Sequence, residues 1–329
     1  MRSGRELILA TKDFVKEDKL ISWTHLITAL VLVCIALIFS FLNVNIYSRI
    51  FCSVLAGLMM VRMFIIYHDF MHRTILQRSY PAKVIMYIYG ILILSPPSIW
   101  KRTHDYHHKN NSKLYSASIG SYPIMTKSKF LSSSPREKFE YLAVRHPLTI
   151  LFGYIFMFIY GLCIQSFMAN PRLHKDALFA LIIHFTIIGL TLYFGGWLCL
   201  VLGILVPFFI SSAMGSYLFY AQHNFPGVSF SCNQDWSYIS AAMDSSSYME
   251  MNPVMRWFTG NIGYHHIHHI NAHIPFYRLR ETMRKIPEFQ SAKRTSLSPI
   301  AIFHCLTLKV WDPDIQQMIG LRRIRKKAS

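Results

Sequence analysis

Five stretches of this chain are apolar over about the length that a bilayer demands: Leu26–Val44, Ile50–Tyr67, Pro147–Met168, Ala177–Phe194 and Trp197–Tyr220. A helix rises 1.5 Å per residue, so about 20 apolar residues span a hydrocarbon core of about 30 Å. Within that core each backbone N–H and C=O must find its partner inside the segment, which selects helices. A sixth run, Ala82–Ser95, is shorter and stops at Ser95-Pro96-Pro97, so it reads as an interfacial or re-entrant piece. Composition agrees: 53% of the 329 residues are hydrophobic and 15% charged, against about 25% charged in soluble domains. The expected fold is all-α and polytopic, with 4–6 membrane helices paired as hairpins in one membrane-embedded unit over residues 1–329.

The distribution of charge orients the runs. The chain carries 34 Lys+Arg against 16 Asp+Glu, a net charge of +18. In so apolar a chain this excess speaks for an anionic membrane surface, and no nucleic-acid partner is expected. Five Lys/Arg fall in residues 1–25, nine in 101–146 and thirteen after His223, whereas the connection Asn45–Arg49 holds one. The positive-inside rule puts the N-terminal segment 1–25, the 101–146 loop and the 221–329 cap and basic tail in the cytosol, with the membrane helices in 26–220. An even number of crossings must then separate the loop from the cap. Three apolar runs lie between them, so one of the three does not fully cross.

The 16 histidines are not scattered. His68 and His72 form HxxxH in His68-Asp69-Phe70-Met71-His72; His104, His107 and His108 form HxxHH; His223 stands alone after the last apolar run; and His265, His268 and His269 form a second HxxHH. On a helix, residues four apart share a face, whereas adjacent residues diverge by about 100°. Adjacent histidines therefore serve two neighbouring ions better than one. Imidazole suits Zn, Cu, Fe and Ni. Nine ligands are too many for a structural zinc, which takes four, and they suit a dinuclear iron site that keeps a face open for O2. The glutamate-rich pattern of soluble di-iron bundles is absent. His25, His146, His174, His184 and His304 read as interfacial polar groups, and no Cys pair offers a thiolate site.

These motifs resemble the three histidine boxes of the membrane fatty acid desaturases. The likeness extends to Gly260-Asn261-Ile262-Gly263-Tyr264 ahead of the third box, to Ile274-Pro275-Phe276-Tyr277 after it, and to Gln222-His223-Asn224; it is closest to the bacterial acyl-lipid desaturases. The resemblance implies two irons that activate dioxygen to place a cis double bond in a long acyl chain. It implies His68, His104, His108 and His268 on one iron, and His72, His107, His223, His265 and His269 on the other. Asp69 and Asp105, each following a box histidine, are candidates to accept the second ring N–H of a ligand. Two electrons would come from an external donor of ferredoxin or cytochrome b5 type, since no donor domain is visible. The substrates would be membrane lipid acyl chains.

Two other functions fit parts of the pattern. A carotenoid hydroxylase or ketolase, or an alkane hydroxylase, would use similar boxes on another substrate. A metal transporter would hold its ligands near the bilayer midplane, whereas the box histidines lie outside the apolar runs. The expected location is a bacterial cytoplasmic membrane; Lys326-Lys327-Ala328-Ser329 also resembles an endoplasmic-reticulum retrieval signal.

Overall fold

The computed structural model describes residues 2, 4–114, 121–232 and 234–325, Arg325 by its backbone alone. The four C-terminal residues that resemble a retrieval signal lie outside these. The described chain is mostly helical. Two two-stranded sheets of three-residue strands, Tyr248–Glu250 with Arg294–Ser296 and Val310–Asp312 with Gln317–Ile319, stitch the C-terminal cap.

Helices α1 (Lys19–Phe41) and α2 (Ile46–Met71) form the first hairpin. Asp18 starts α1 by accepting from the amides of Leu20 and Ile21, and Asn45 starts α2 by accepting from that of Tyr47. Leu26, Ala29, Val33 and Ala36 repeat at helical spacing along the buried stripe of α1, and Ile27, Val31, Ile35 and Ile38 face outward. An exposed apolar face on a helix of this length is what lipid requires.

Helix α3 (Tyr80–Leu92) is too short to cross alone. It meets α4 (Pro97–Asn110) at a 91° break, where the two prolines remove amide donors and fix φ. The run Ala82–Ser95, expected to be an interfacial or re-entrant piece, covers α3 and the bend after it.

The run at Pro147–Met168 is also broken. Helix Pro135–Val144 and the turn Pro147–Leu151 meet the π-type stretch Tyr154–Gln165 at 119°. The two remaining runs are continuous in sequence as α5 (Lys175–Leu200) and α6 (Val206–Ala221), with Gly196 at φ +72° between their apolar stretches. The His184 and Phe208 rings, equally far from Gly196 in sequence, are centred 4.8 Å apart. In a straight helix, 24 residues separate two rings by about 36 Å, so the chain reverses here and α5 and α6 form a second hairpin. A glycine at the reversal avoids the Cβ penalty of positive φ. Two hairpins are compatible with the even number of crossings expected from the charge distribution, and Pro147–Met168 is the one of the three runs that a sharp bend interrupts.

Both turns lie at the same end of the bundle. Arg49 donates from Nη2 to Cys199 Sγ at 3.4 Å and from Nε to the Ser40 carbonyl at 3.1 Å, and Cys199 Sγ donates to the Phe41 carbonyl at 3.6 Å. The histidines close the opposite end.

Candidate metal centre

Three short helical pieces carry eight of the nine box histidines. His68 lies inside the last turn of α2, deeper than the position after the run that the sequence suggests, and His72 caps that helix. His104, His107 and His108 sit on α4, which Pro97 starts and Asn111 ends. Asp176, at the head of α5, accepts from the Ser98 amide at 2.9 Å and the Ser98 hydroxyl at 2.6 Å, which ties α4 to the second hairpin. Helix α7 (His265–Ile270) presents His265, His268 and His269 on one face and buries Ile267 and Ile270 on the other. His223 follows Gln222, the C-cap of α6.

The rings converge in two groups, His68, His72, His104, His108 and His268 in one and His107, His223, His265 and His269 in the other. In each group the potential ligand atoms all lie within 4.8 Å of one another. The Nε2 atoms of His68 and His104 stand 3.0 Å apart, those of His104 and His108 3.1 Å, and those of His108 and His268 3.1 Å. In the second group His107 to His223 is 3.0 Å, His223 to His265 2.9 Å and His265 to His269 3.1 Å.

These distances do not form a hydrogen-bond network. A neutral ring nitrogen either donates one proton or accepts with one lone pair, yet the Nε2 atoms of His104, His108, His223 and His265 each face two others. His72 Nε2 is buried with no hydrogen-bond partner, its ring centred 4.6 to 4.8 Å from those of His68, His104, His108 and His268. Adjacent ligands at right angles on an ion, with bonds of about 2.1 Å, stand about 3.0 Å apart. The donor set therefore fits two first-row metal ions with imidazole ligands.

The electrostatics agree. Burial, then the neighbouring rings, holds His104, His107, His108, His265, His268 and His269 well below the usual imidazole range, and burial lowers His223 to about 4. The rings are neutral at physiological pH, with a lone pair available to a metal.

One expected assignment changes. His72 joins His68 instead of the His107 group, so the groups hold five and four histidines and not four and five. The reason is helical spacing: 68/72, 104/108 and 265/269 are all i,i+4 pairs, and each pair stays together. The expected separation of His107 from His108 and of His268 from His269 is what the structure has.

The two aspartates also part. Asp69 is fully buried; its Oδ1 lies 3.2 Å from His68 Nδ1, and its Oδ2 accepts from the Phe276 amide at 2.7 Å. It ties the first box to the Pro275-Phe276-Tyr277 segment. Asp105 is half-exposed, and its carboxylate pairs with Lys101 at 2.7 Å. Among the described contacts this carboxylate reaches Lys101 and no box histidine, so Asp69, and not Asp105, is the aspartate that lies behind a ring. Other groups hold two more rings. Ser121 Oγ lies 2.6 Å from His107 Nδ1, and the Ser245 carbonyl 2.9 Å from His223 Nδ1. No sequence signal marks either. Trp100 is buried and stacks on His104 at 4.5 Å; the i,i+4 spacing could have separated it from the interfacial tryptophans.

The other histidines lie outside both groups. His266 is buried on the opposite face of α7, near Tyr248 and Phe289, and His273 is exposed. His25 faces Arg62, His174 faces Ser98 and His184 faces Tyr154.

Two apolar hairpins closed at one end by two histidine nests define a polytopic membrane protein with side chains able to hold metal. The sequence model of the fatty acid desaturase family matches residues 45–300, and the chain belongs to that family. It is 29% identical over 295 residues to a fatty acid desaturase of Bacillus subtilis, covering 86% of this chain and 80% of the relative. It is 22% identical over 249 residues to the sn-1 acyl-lipid omega-3 desaturase (ferredoxin) of a Nostoc species, covering 70% of this chain and 65% of that one.

Proposed function

We propose that this protein is an O2-dependent acyl-lipid desaturase of a bacterial cytoplasmic membrane, with one iron in each histidine group. Residues 1–329 form one unit, with the N-terminal segment, the 101–146 loop and the 221–329 cap on the cytosolic side. The observation that carries this reading is the convergence of nine imidazoles at the open end of the two hairpins, in a chain of the desaturase family. The balance of the reaction is simple. One acyl –CH2–CH2– unit, one dioxygen, two electrons and two protons give a cis –CH=CH– unit and two waters.

When bound, the irons supply the redox chemistry that breaks unactivated C–H bonds. The protein supplies the rest. Asp69, Ser121 and the Ser245 carbonyl fix ring orientation from behind. Burial of the rings keeps bulk water away. A cavity of about 20 Å³ beside His223, walled by Tyr122, Phe219, Tyr220 and Phe230, offers an apolar surface for a methylene.

Expression in a host of known lipid composition, with double bonds located by mass spectrometry, tests the reading. New cis-unsaturated lipid chains are expected. A hydroxylated or ketonated product would transfer the protein to the carotenoid or alkane oxygenases.

A further inference from the structure

Residues 4–18 come before the stretch that the family model matches, which starts at residue 45, yet they pack against the first and third boxes. Leu7 and Phe14 are buried in the core that also holds Ile75, Leu76, Ile274 and Phe276. Thr11 Oγ1 accepts from Asn271 Nδ2 at 2.8 Å, two residues past His269. The Asp13 and Lys16 carbonyls accept from Arg278 Nη1 at 3.0 and 3.3 Å, and the Asp18 amide donates to the Tyr277 hydroxyl at 3.0 Å. Glu17 reaches the first box: its Oε1 accepts from the Leu76 amide at 2.7 Å, four residues past His72. The Thr74 hydroxyl donates to the Ala272 carbonyl at 2.7 Å. The turn after the first box, the tail of the third and the N-terminal segment therefore hold one another.

That turn needs holding. Arg73 and Leu76 stand at φ +62° and +54°, left-handed backbone in which a Cβ crowds the chain. Such a conformation persists only where its surroundings over-determine it. The Arg73 amide donates to the Phe70 carbonyl and the Thr74 amide to the Asp69 carbonyl, both at 3.0 Å. The Leu76 amide is answered by Glu17, a charged acceptor and so a strong one. Arg73 directly follows His72, whose Nε2 is buried without a hydrogen-bond partner; a relaxed turn would let the end of α2 rotate and that ring with it. We infer that Glu17 is the positioning residue for His72: its carboxylate holds the turn 73–76, and the turn holds the ring in the five-histidine group. The inference rests on the metal reading of that group and not on the acyl substrate. The four-histidine group takes no ligand from the first box, so the effect falls on one group.

The test uses the full-length protein in neutral detergent, loaded with ferrous iron and challenged with a ferrous chelator. Release from the two groups is followed as two phases, and the phase that His72→Ala accelerates marks the five-histidine group. Glu17→Ala should speed that phase about tenfold and leave the other unchanged. Glu17→Gln, which keeps a carbonyl acceptor for the Leu76 amide, should stay within about threefold of wild type. Glu6→Ala, which removes the same charge from an exposed position in the same segment, should change neither phase. Combined with His72→Ala, Glu17→Ala should add nothing, because its effect runs through that ring. Additive effects, equal acceleration of both phases, or a Glu17→Gln as damaging as Glu17→Ala would overturn the assignment. Metal-free protein separates the inference from the metal reading: carbethoxylation of His72, read by mass spectrometry, should rise in Glu17→Ala while that of His107 does not. If the wild type binds no iron, the metal reading fails and the labelling still decides, since unchanged His72 labelling in Glu17→Ala would end the positioning role.

Discussion

The five-histidine and four-histidine groups are built from one pattern and differ in what surrounds them. Each takes an i,i+4 pair from an HxxHH box, and each box sends its remaining histidine to the other group. The five-histidine group adds the HxxxH pair of α2, a buried carboxylate behind His68 and the stacked Trp100. The four-histidine group adds a lone histidine from the end of α6, and a hydroxyl and a backbone carbonyl take the place of the carboxylate. One pattern thus gives two sites of unequal ligand number, unequal support and different access.

The largest expected effect follows from ligand number. His269→Ala leaves three ligands in the smaller group. It should abolish new double bonds and remove about one of two irons per chain, as read by lipid profiling and metal analysis of purified protein. Membrane insertion should survive, because the apolar runs are untouched. His72→Ala should also stop turnover, but it leaves four ligands in its group and should retain most of the iron. If His72→Ala instead loses its metal as His269→Ala does, the five-and-four division is wrong.

A smaller effect separates the two aspartates. Asp69→Asn removes the carboxylate behind His68 and should lower activity about 10- to 100-fold, as changes to groups that orient a ligand do. Asp105→Asn, on the solvent side of α4, should stay within about twofold. Equal losses from both would mean that Asp69 does no orienting that a surface carboxylate does not.

The smallest effect concerns the wall of the cavity. Arg145, fully buried, donates to the Tyr220 hydroxyl at 3.2 Å and to Asn224 Oδ1 at 2.7 Å, and the buried Lys309 ammonium donates to the Arg145 carbonyl. Burial, then the Arg145 charge, lowers Lys309 to about 8. The unfolded chain therefore binds more protons than the folded one between about pH 8 and about 10.4, and folded stability should rise with pH across that window. Thermal unfolding in detergent should show the rise, and Lys309→Met should remove it. A rise that persists in the variant would locate the effect elsewhere.

Much of this architecture is legible in the sequence because the bilayer reads composition directly. Apolar length marks α1 and α2, and the histidine spacings mark nine ring positions that the fold brings together. The second hairpin is less legible. Its two apolar runs are visible, but only the approach of His184 to Phe208 shows that the chain reverses at Gly196. The break in the run Pro147–Met168 is hinted at in the sequence as a parity problem, not as a place.

By itself the sequence determined the polytopic helical class, the gathering of Lys and Arg in the segments outside the apolar runs, and the identity of the clustered histidines. Each of these follows from local quantities: hydrophobic length, charge count and helical period. Only the tertiary structure decided which histidine joins which group, that Asp69 and not Asp105 lies behind a ring, and that Ser121, the Ser245 carbonyl and Trp100 hold the site. Those facts depend on where α2, α4, α6 and α7 meet, and long-range packing sets that meeting point. The Asp69 carboxylate touches a backbone amide 207 residues away, and no local pattern in the chain encodes that contact.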